Sequence, residues 1–249
     1  MKLYYHSTSS ASLRVLLFLK CRKVPESRLK LVSTGIKFDQ RGIPVWTIPE
    51  KDEEALKLKT TDYSSLNPEG RVPLLLLNEG KKMTQTGAII TLIDDLLGEQ
   101  SPMVPKDPWL KAEMNRIIWI VAADTQPYQN IPFIIQAMGE WGMKKESPVS
   151  HPLRKYFIKR EFSALESILK KCSGQFCVGD CITYADCFLV PQIRNALASK
   201  IDIKKYFPNL NKVWQNMLDF PPVFTVLEDA GGIVQPIVLD KEQLQKYVE

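Results

Sequence analysis

The pattern of apolar and polar positions changes in character near residue 100. In the first part of the chain, short β-prone or alternating stretches are interleaved with stretches that have one wide apolar face. Predicted strands lie at 2–6, 27–32 and 72–77, with a hairpin turn and a short final strand over 78–84, and predicted helices lie at 10–22, 50–59 and 86–98. This order of strands and helices predicts a small α/β sandwich of the thioredoxin type.

The second part of the chain has only helical patterns. It begins after a polar, proline-containing stretch that is typical of a linker. Predicted helices lie at 107–124, 132–144, 151–172, 183–199 and 208–219. We therefore predict an α/β thioredoxin-like domain at 1–98, a linker at 99–106 and an all-helical domain at 107–249.

Composition narrows the classes of function. Hydrophobic residues make up 45% and charged residues 24% of the 249 positions, which is typical of a globular protein with a sizeable core. The net charge of +5 is spread along the chain, so we expect no nucleic-acid partner and a mild preference for small anions. No apolar stretch reaches the roughly 20 residues of a membrane span, and no signal-peptide pattern is visible. We expect a cytoplasmic protein without a membrane partner.

The cysteines do not have the spacing of a metal site. Four of the five lie close together at Cys172, Cys177, Cys181 and Cys187, but no pair is separated by only two residues. Structural zinc sites usually contain such a pair. An odd number of cysteines also fits reduced thiols better than a disulfide framework. We expect no metal.

A cluster of hydroxyl side chains stands at the start of the first predicted helix. Ser9 or Ser10 can cap the helix by accepting a hydrogen bond from a main-chain amide of the first turn. A hydroxyl at a helix N-terminus can also donate to an anion, where unpaired amides and the helix dipole favour negative charge. A thiolate is such an anion, and these donors lower the pKa of its parent thiol. The sequence leaves both roles open.

A proline opens the third predicted strand. Pro73 follows Val72 at a position where its missing N–H would interrupt a strand ladder. A cis Val72–Pro73 bond would turn the main chain of Val72 outward, where it could pair with a bound peptide. A trans proline at the start of a strand is the alternative.

Two later helix starts carry polar residues. Gln85 and Thr86 open the helix at 86–98, where an amide and a hydroxyl can hold the carboxylate and amine of a ligand, or simply cap the helix. Thr183 and Asp186 have the spacing of a capping box, and we predict a purely structural role for them.

These stretches together resemble the soluble glutathione transferases. The resemblance is carried by the serine cluster, "RVPLL", "TQTGAIITLIDDLL" and "CVGDCITYADCFLVPQ", and it covers nearly the whole chain. Among the classes, the chain is most similar to zeta, which includes the maleylacetoacetate isomerases. The zeta-like stretches are "SSASLRV" at 9–15, "TQPYQN" at 125–130 and "VGDCITYADCFLVPQIRNA" at 178–196.

The resemblance implies a binding site for glutathione as cofactor. Ser9 would be the catalytic residue, donating a hydrogen bond to the glutathione sulfur. The main chain of Val72, next to a cis Pro73, would pair with the cysteinyl part, and Gln85 and Thr86 would hold the γ-glutamyl end. The remaining implied site residues are Ser10, Ala11, Ser12, Arg14, Gln126 and Asn130.

The resemblance also implies a reaction and an assembly. The expected reaction is the cis–trans isomerisation of 4-maleylacetoacetate, a small substrate with carboxylates, to fumarylacetoacetate in tyrosine and phenylalanine catabolism. The alternatives are a transferase that conjugates glutathione to electrophiles such as α-haloacids, and a catalytically silent binding module. The family forms homodimers, so we expect one here.

The chain departs from the zeta pattern at several positions. Ala11 and Leu13 stand where the pattern has a cysteine and an aromatic residue. Ala198 occupies the position of the arginine that holds the substrate carboxylate, so Arg194, one helical turn earlier, is the predicted substitute. The segment 33–62 is longer than the family usually carries.

Overall fold

The first part of the chain folds as a four-stranded sheet with helices. The computed structural model describes residues 1–98, 101–143 and 147–232. The first elements are β1 (Lys2–Tyr5), α1 (Ser10–Cys21), β2 (Lys30–Ser33), β3 (Gly35–Phe38), β4 (Pro44–Thr47), α2 (Glu53–Leu58), a 3₁₀ turn (Tyr63–Ser65), β5 (Leu74–Leu76), β6 (Lys82–Met83) and α3 (Thr86–Leu97). The sheet has the order β2-β1-β5-β6, with β1 parallel to β2 and antiparallel to β5. The predicted thioredoxin-like fold is confirmed.

The second part is helical throughout the residues that the structure describes from 101 onwards. Its elements are α4 (Pro108–Trp119), a π-helical turn (Ile120–Thr125), α5 (Gln126–Gln129), α6 (Ile131–Glu140), α7 (Pro152–Cys172), α8 (Tyr184–Ala198), α9 (Ile203–Tyr206), α10 (Pro208–Leu218) and α11 (Pro221–Asp229). The predicted all-helical part is confirmed. Residues 99–100 of the predicted linker and residues 233–249 of the predicted helical domain lie outside the described residues, and the exact domain limits stay a prediction.

The single α-helix predicted at 107–124 ends earlier, and its last five residues are π-helical. The α-helical hydrogen bonding ends at Trp119 and gives way to the wider π-helical turn. Pro127 lies two residues after the end of this turn and has no N–H to donate to a carbonyl one turn earlier, so the regular hydrogen bonding of an α-helix is interrupted there. Inside the π-helical turn, the hydroxyl of Thr125 donates to the carbonyl of Ile120 over 2.9 Å. A π-bulge of this kind often marks a functional site.

The long segment 33–62 contains a hairpin that the sequence pattern did not reveal. Strands β3 and β4 pair antiparallel, from Gly35 opposite Thr47 to Phe38 opposite Pro44. Each strand has only four residues, and the glycines and prolines within and around them hide the alternation. Helices α9 and α11 were also not predicted, because one is a single turn and the other begins with two prolines.

Helix α1 joins the two parts into one core. It packs against α3 on the side of the sheet and against α8 and α11 on the side of the helical part. Its residues Leu13, Val15, Leu17 and Phe18 are at most 1% exposed, and they belong to a single apolar cluster that continues into α8 and α10. The position of α1 is therefore fixed from both sides.

A buried carboxylate links the two parts close to α1. Asp94 on α3 accepts a hydrogen bond from Arg22 Nε at 2.7 Å and another from the hydroxyl of Tyr184, the first residue of α8. Burial, followed by this hydrogen bond, raises the pKa of Tyr184, so its hydroxyl stays protonated and acts as a donor.

The predicted capping box at the start of α8 is present and buried. Asp186 is fully buried, and its carboxylate accepts hydrogen bonds from the N–H and the hydroxyl of Thr183 and from the N–H of Cys177. Burial raises the pKa of Asp186, and these hydrogen bonds act in the opposite direction. The box fixes the loop before α8 to the helix that packs against α1.

We expect the change Asp186→Ala to lower the free energy of unfolding by about 3 kcal/mol, because it leaves three buried donors without a partner. Urea unfolding followed by circular dichroism measures the loss. Asp202→Ala is the matched control, since Asp202 caps the short α9 at an exposed site with one hydrogen bond to Lys205 N. The control should lose about 1 kcal/mol. Equal losses in the two variants would contradict a central role for the buried box.

Candidate active site

One large cavity lies where the two parts of the chain meet. Its volume is about 1280 Å³, larger than most small-ligand pockets. The first part contributes the N-terminus of α1, the hairpin β3–β4, residues 69–73 and the start of α3. The helical part contributes residues of α4, α5 and α6, the first turn of α7, and α8.

Ser9 caps helix α1 and also lines this cavity. Its backbone is extended, with φ −78° and ψ 116°, and its Oγ accepts a hydrogen bond from the N–H of Ser12 at 3.2 Å. This bond uses a lone pair of the oxygen and leaves the hydroxyl hydrogen available. Capping and donation to a ligand are therefore compatible in the same residue.

The residues that follow Ser9 add further donors at the cavity wall. The main-chain N–H groups of Ser10 and Ala11 have no partner among the described residues, as expected for the first turn of a helix. The hydroxyl oxygen of Ser10 accepts a hydrogen bond from Gln126 Nε2 at 3.1 Å. This bond joins α1 to α5, and the π-helical turn before α5 brings Gln126 to that position.

Ser12, in contrast, does not reach the cavity. It is fully buried, and its Oγ accepts a hydrogen bond from the N–H of His6 at 3.2 Å. The expectation that Ser12 lies in the ligand site disagrees with this placement. The residue joins the loop after β1 to the start of α1, because the helical rotation points it away from the face that Ser9 and Ala11 present.

The Val72–Pro73 peptide bond is cis, as one of the two sequence interpretations required. Both residues line the cavity, and the N–H and carbonyl of Val72 have no hydrogen-bond partner among the described residues. Strand β5 begins only at Leu74. The main chain of Val72 can therefore pair with an extended ligand.

The backbone of Gln85 has a conformation that is unfavourable for a residue with a side chain. Its φ of 65° and ψ of 119° lie in a region that favours glycine. Its Nε2 donates to Glu69 Oε2 at 3.0 Å, and both residues line the cavity together with the buried Thr86. Backbone strain of this kind is concentrated at functional sites. Sequence reasoning missed Glu69, whose carboxylate is a suitable acceptor for an ammonium group.

Two arginines are buried in the cavity wall. Arg14 on α1 and Arg154 on α7 are 3% and 2% exposed. The guanidinium of Arg14 lies 4.5 Å from the ring centre of Phe188, which supplies a favourable cation–π contact. Burial lowers the pKa of Arg14 to about 9 and that of Arg154 to about 10, so both remain charged at pH 7. The cavity is therefore a cationic environment.

Asn130 lines the cavity, whereas Arg194 does not. Asn130 lines it at the start of α6, as expected for a site residue. Arg194 does not line it, because its side chain donates to the carbonyls of Ala230 at 2.8 Å and Gly232 at 3.1 Å. The prediction that Arg194 holds a substrate carboxylate is not consistent with this position, since α8 turns it towards the end of α11. Its neighbour Asn195 lines the cavity instead.

The hairpin β3–β4 forms an apolar wall of the cavity. Phe38 and Ile43 pack against the apolar cluster on α6 that includes Ile134 and Met138. Trp46, on β4, lines the cavity and packs against the ring of His6 at 4.9 Å. The segment that the sequence left unassigned therefore closes one side of the site.

The described residues that line the cavity include no strong nucleophile. Among the described residues that line it there is no cysteine, histidine or lysine, and its one carboxylate, Glu69, accepts hydrogen bonds from Thr84 and Gln85. Within the described part of the chain, no three histidine, cysteine or acidic residues are grouped as metal ligands would be. None of the described helices has the length and apolarity to cross a membrane.

Comparison with known proteins places the chain in a family. The model of the glutathione S-transferase C-terminal domain matches residues 132–229. A maleylacetoacetate isomerase of Dictyostelium discoideum is 30% identical over 237 residues, 94% of this chain and 96% of that protein.

Two solved structures show the same fold. A bacterial maleyl pyruvate isomerase, a zeta-class glutathione transferase, has a TM-score of 0.72 at 23% identity, covering 95% of this chain and 99% of the other. A maleylacetoacetate isomerase of Anaeromyxobacter dehalogenans, solved with glutathione in its active site, has a TM-score of 0.68 at 25% identity, covering 95% and 96%.

The fold and the cavity between its two parts are those of a glutathione S-transferase. Within that class, the chain belongs to the family of the zeta-class maleylacetoacetate isomerases, which its similarity to the Dictyostelium discoideum enzyme along nearly its full length establishes.

The capping role of Ser9 can be tested by measuring the free energy of unfolding of Ser9 variants. We expect Ser9→Ala to lower the free energy of unfolding by about 1 kcal/mol, because the N–H of Ser12 loses its acceptor. Ser9→Asp keeps an acceptor and adds a charge that the helix dipole favours, so it should be at least as stable as the parent protein. Urea titration measures both. A stable Ser9→Ala variant would show that the hydrogen bond does not contribute to the helix.

Proposed function

We propose that the protein is a glutathione-dependent cis–trans isomerase that converts 4-maleylacetoacetate to fumarylacetoacetate. The observation that carries this proposal is the composition of the cavity wall. The wall presents hydroxyl and amide donors and two buried arginines, but its described residues include no cysteine, histidine or lysine. A cofactor that brings its own nucleophile, and a substrate that brings negative charge, complement such a wall.

Ser9 and the first turn of α1 stabilise negative charge at one point of the cavity. Glutathione supplies a thiolate that adds to the cis double bond of the substrate and leaves again after rotation about the resulting single bond. The hydroxyl of Ser9 donates to that sulfur and keeps the pKa of the glutathione thiol low. The amides of Ser10 and Ala11 add to the electrostatic stabilisation of the thiolate. Because Ser10 is already bonded to Gln126, the position of this donor set is fixed before the ligand binds.

Other residues orient the tripeptide. The N–H and carbonyl of Val72 pair with its cysteinyl unit, as in the addition of a strand. Thr86, at the start of α3, binds the γ-glutamyl carboxylate with its hydroxyl and N–H, and Glu69 binds the ammonium group. Gln85 holds Glu69 in place.

We further propose a homodimer in the cytoplasm that acts in tyrosine and phenylalanine catabolism. Light scattering on the purified protein tests the dimer. The similarity to a maleylacetoacetate isomerase along nearly the full chain supports this proposal.

We expect Ser9→Ala to lower kcat/KM for 4-maleylacetoacetate by about a hundredfold, because a donor to the reacting charge is lost. The conversion is followed with catalytic glutathione, and the ultraviolet absorbance of the thiolate measures the pKa of bound glutathione, which should rise. Ser7→Ala is the matched control, since Ser7 lies two residues earlier and outside the cavity wall.

Three results would contradict this mechanism. Equal rates in Ser9→Ala and the parent protein would remove Ser9 from the chemistry. Consumption of glutathione with formation of a stable conjugate would identify a transferase instead of an isomerase, and failure to bind glutathione in a calorimetric titration would identify a silent binding module.

Gln85 provides a test that separates binding from stability. We expect Gln85→Gly to raise the free energy of unfolding by about 1 kcal/mol, because glycine adopts the observed backbone conformation without strain. The same change should raise the Kd for glutathione about tenfold, because Glu69 loses one of its two hydrogen-bond donors and is held less firmly. Gln85→Ala should lose affinity equally without the gain in stability. Thermal unfolding and calorimetric titration measure the two effects, and unchanged affinity in both variants would exclude Gln85 from the glutathione site.

A further inference from the structure

Arg154 is the least compensated charge in the described part of the chain. It is 2% exposed, and its Nε and Nη1 are buried without a hydrogen-bond partner among the described residues. No ion pair or aromatic ring contact involves it within those residues, and burial alone acts on its pKa. Buried charges without a partner are strongly unfavourable, so natural proteins rarely retain one without a use.

The position of Arg154 in the fold makes its buried charge still less favourable. Arg154 is the third residue of the 21-residue helix α7, whose N-cap is His151. The N-terminus of a helix carries partial positive charge and therefore disfavours a cation in the first turn. The buried guanidinium and the helix terminus together form a region of positive potential, and an anion placed there would relieve both.

The cavity provides the route by which an anion can reach Arg154. Arg154 lines the same cavity as Ser9, on the wall formed by the helical part. Helix α7 packs against α5 and the π-helical turn, the elements that bring Gln126 to Ser10. The groups assigned to the tripeptide (Ser9, Val72, Glu69 and Thr86) all belong to the first part of the chain.

The second buried arginine differs in two ways. Arg14 has a compensating ring contact with Phe188, and one of its nitrogens, Nε, is buried without a partner, against two nitrogens in Arg154. Arg14 lies on α1, in the first part of the chain, whereas Arg154 lies on α7, in the helical part. Arg154 is therefore an independent cationic centre.

We propose that Arg154 is the residue that binds a carboxylate of the substrate. This inference rests on the proposed function and deepens it, because it assigns the recognition of the dicarboxylate to the first turn of α7. The guanidinium offers five N–H donors in a planar arrangement that matches a carboxylate in a bidentate contact. The bond is made equally in the ground state and the transition state, so it determines substrate affinity and specificity more than the rate of the chemical step.

The kinetic test compares substitutions at Arg154 with a control on the same helix. Arg154→Gln should raise KM for 4-maleylacetoacetate by between about tenfold and about a hundredfold and change kcat little. The Kd for glutathione, measured by calorimetry, should stay the same. Arg154→Lys should recover part of the affinity, because it restores the charge without the bidentate geometry. The control is Arg160→Gln, since Arg160 is half exposed and paired with Glu161.

A binding test does not depend on catalysis. Octanedioate has two carboxylates on a chain of the same length as the substrate. With saturating glutathione, it should raise the Tm of the parent protein by about 3 °C or more at concentrations far above its Kd. The rise should vanish in Arg154→Gln, and the uncharged dimethyl ester should raise the Tm of neither protein. Without ligand, Arg154→Met should be at least as stable as the parent protein, because it removes a buried unpaired charge.

The outcomes separate the two proposals. An unchanged KM and an unchanged octanedioate shift in Arg154→Gln would overturn the role of Arg154 even if the isomerase activity is present. A selective loss of glutathione affinity in Arg154→Gln would also overturn the role of Arg154, since this result would place the tripeptide at Arg154. If the parent protein lacks isomerase activity but shows the octanedioate shift and loses it in Arg154→Gln, the proposed function fails and the carboxylate site stands.

Discussion

The burial of helix α1 on both sides is the constraint on which the site depends. Leu13, Val15, Leu17 and Phe18 are almost completely buried between the sheet and the helical part. Each contributes about 1.5 to 3 kcal/mol to folding. The N-terminus of α1 therefore cannot move relative to either part without the loss of several such contributions. As a result, the hydroxyl of Ser9 and the amides that follow it have fixed positions at the cavity, as electrostatic stabilisation of a reacting group requires.

Much of the fold and part of the site could be predicted from local sequence. The strands, the main helices and the capping box at Thr183 follow from periodicity and from the chemistry of helix ends. For Ser9, the sequence offered a structural role and a chemical one as alternatives. The structure makes them compatible, because accepting from the N–H of Ser12 leaves the hydroxyl hydrogen available.

The residues that sequence reasoning missed depend on long-range packing. Arg154 stands in "HPLRKYF", where a helix start next to charged residues is typical of a solvated side chain. Its burial appears only in the folded chain, in which α7 packs against α5, the π-helical turn and α10. Arg194 was expected in the site because it lies one turn before Ala198. The direction of its side chain depends on the end of α11, 36 residues further along the chain, whose carbonyls it binds. The hairpin β3–β4 was hidden because its strands have only four residues each, and its contact with the apolar cluster on α6 is visible only in the fold.

The cavity wall departs from local rules of stability at two residues. Gln85 has a strained backbone, and Arg154 has a buried charge without a described partner. A chain under selection for stability alone would remove both features, since glycine at 85 or an apolar residue at 154 would make the folded state more stable. Gln85 instead holds the carboxylate of Glu69 at the cavity, and Arg154 presents a positive charge there. The first amides of α1, which lack partners among the described residues as helix starts usually do, add donors to the same space. A ligand with a thiolate and several carboxylates would pair with the donors and the positive charge at once. Binding would then offset the unfavourable contributions that these groups make to folding. Neutral competitors cannot pair with the same groups, so the site would reject them.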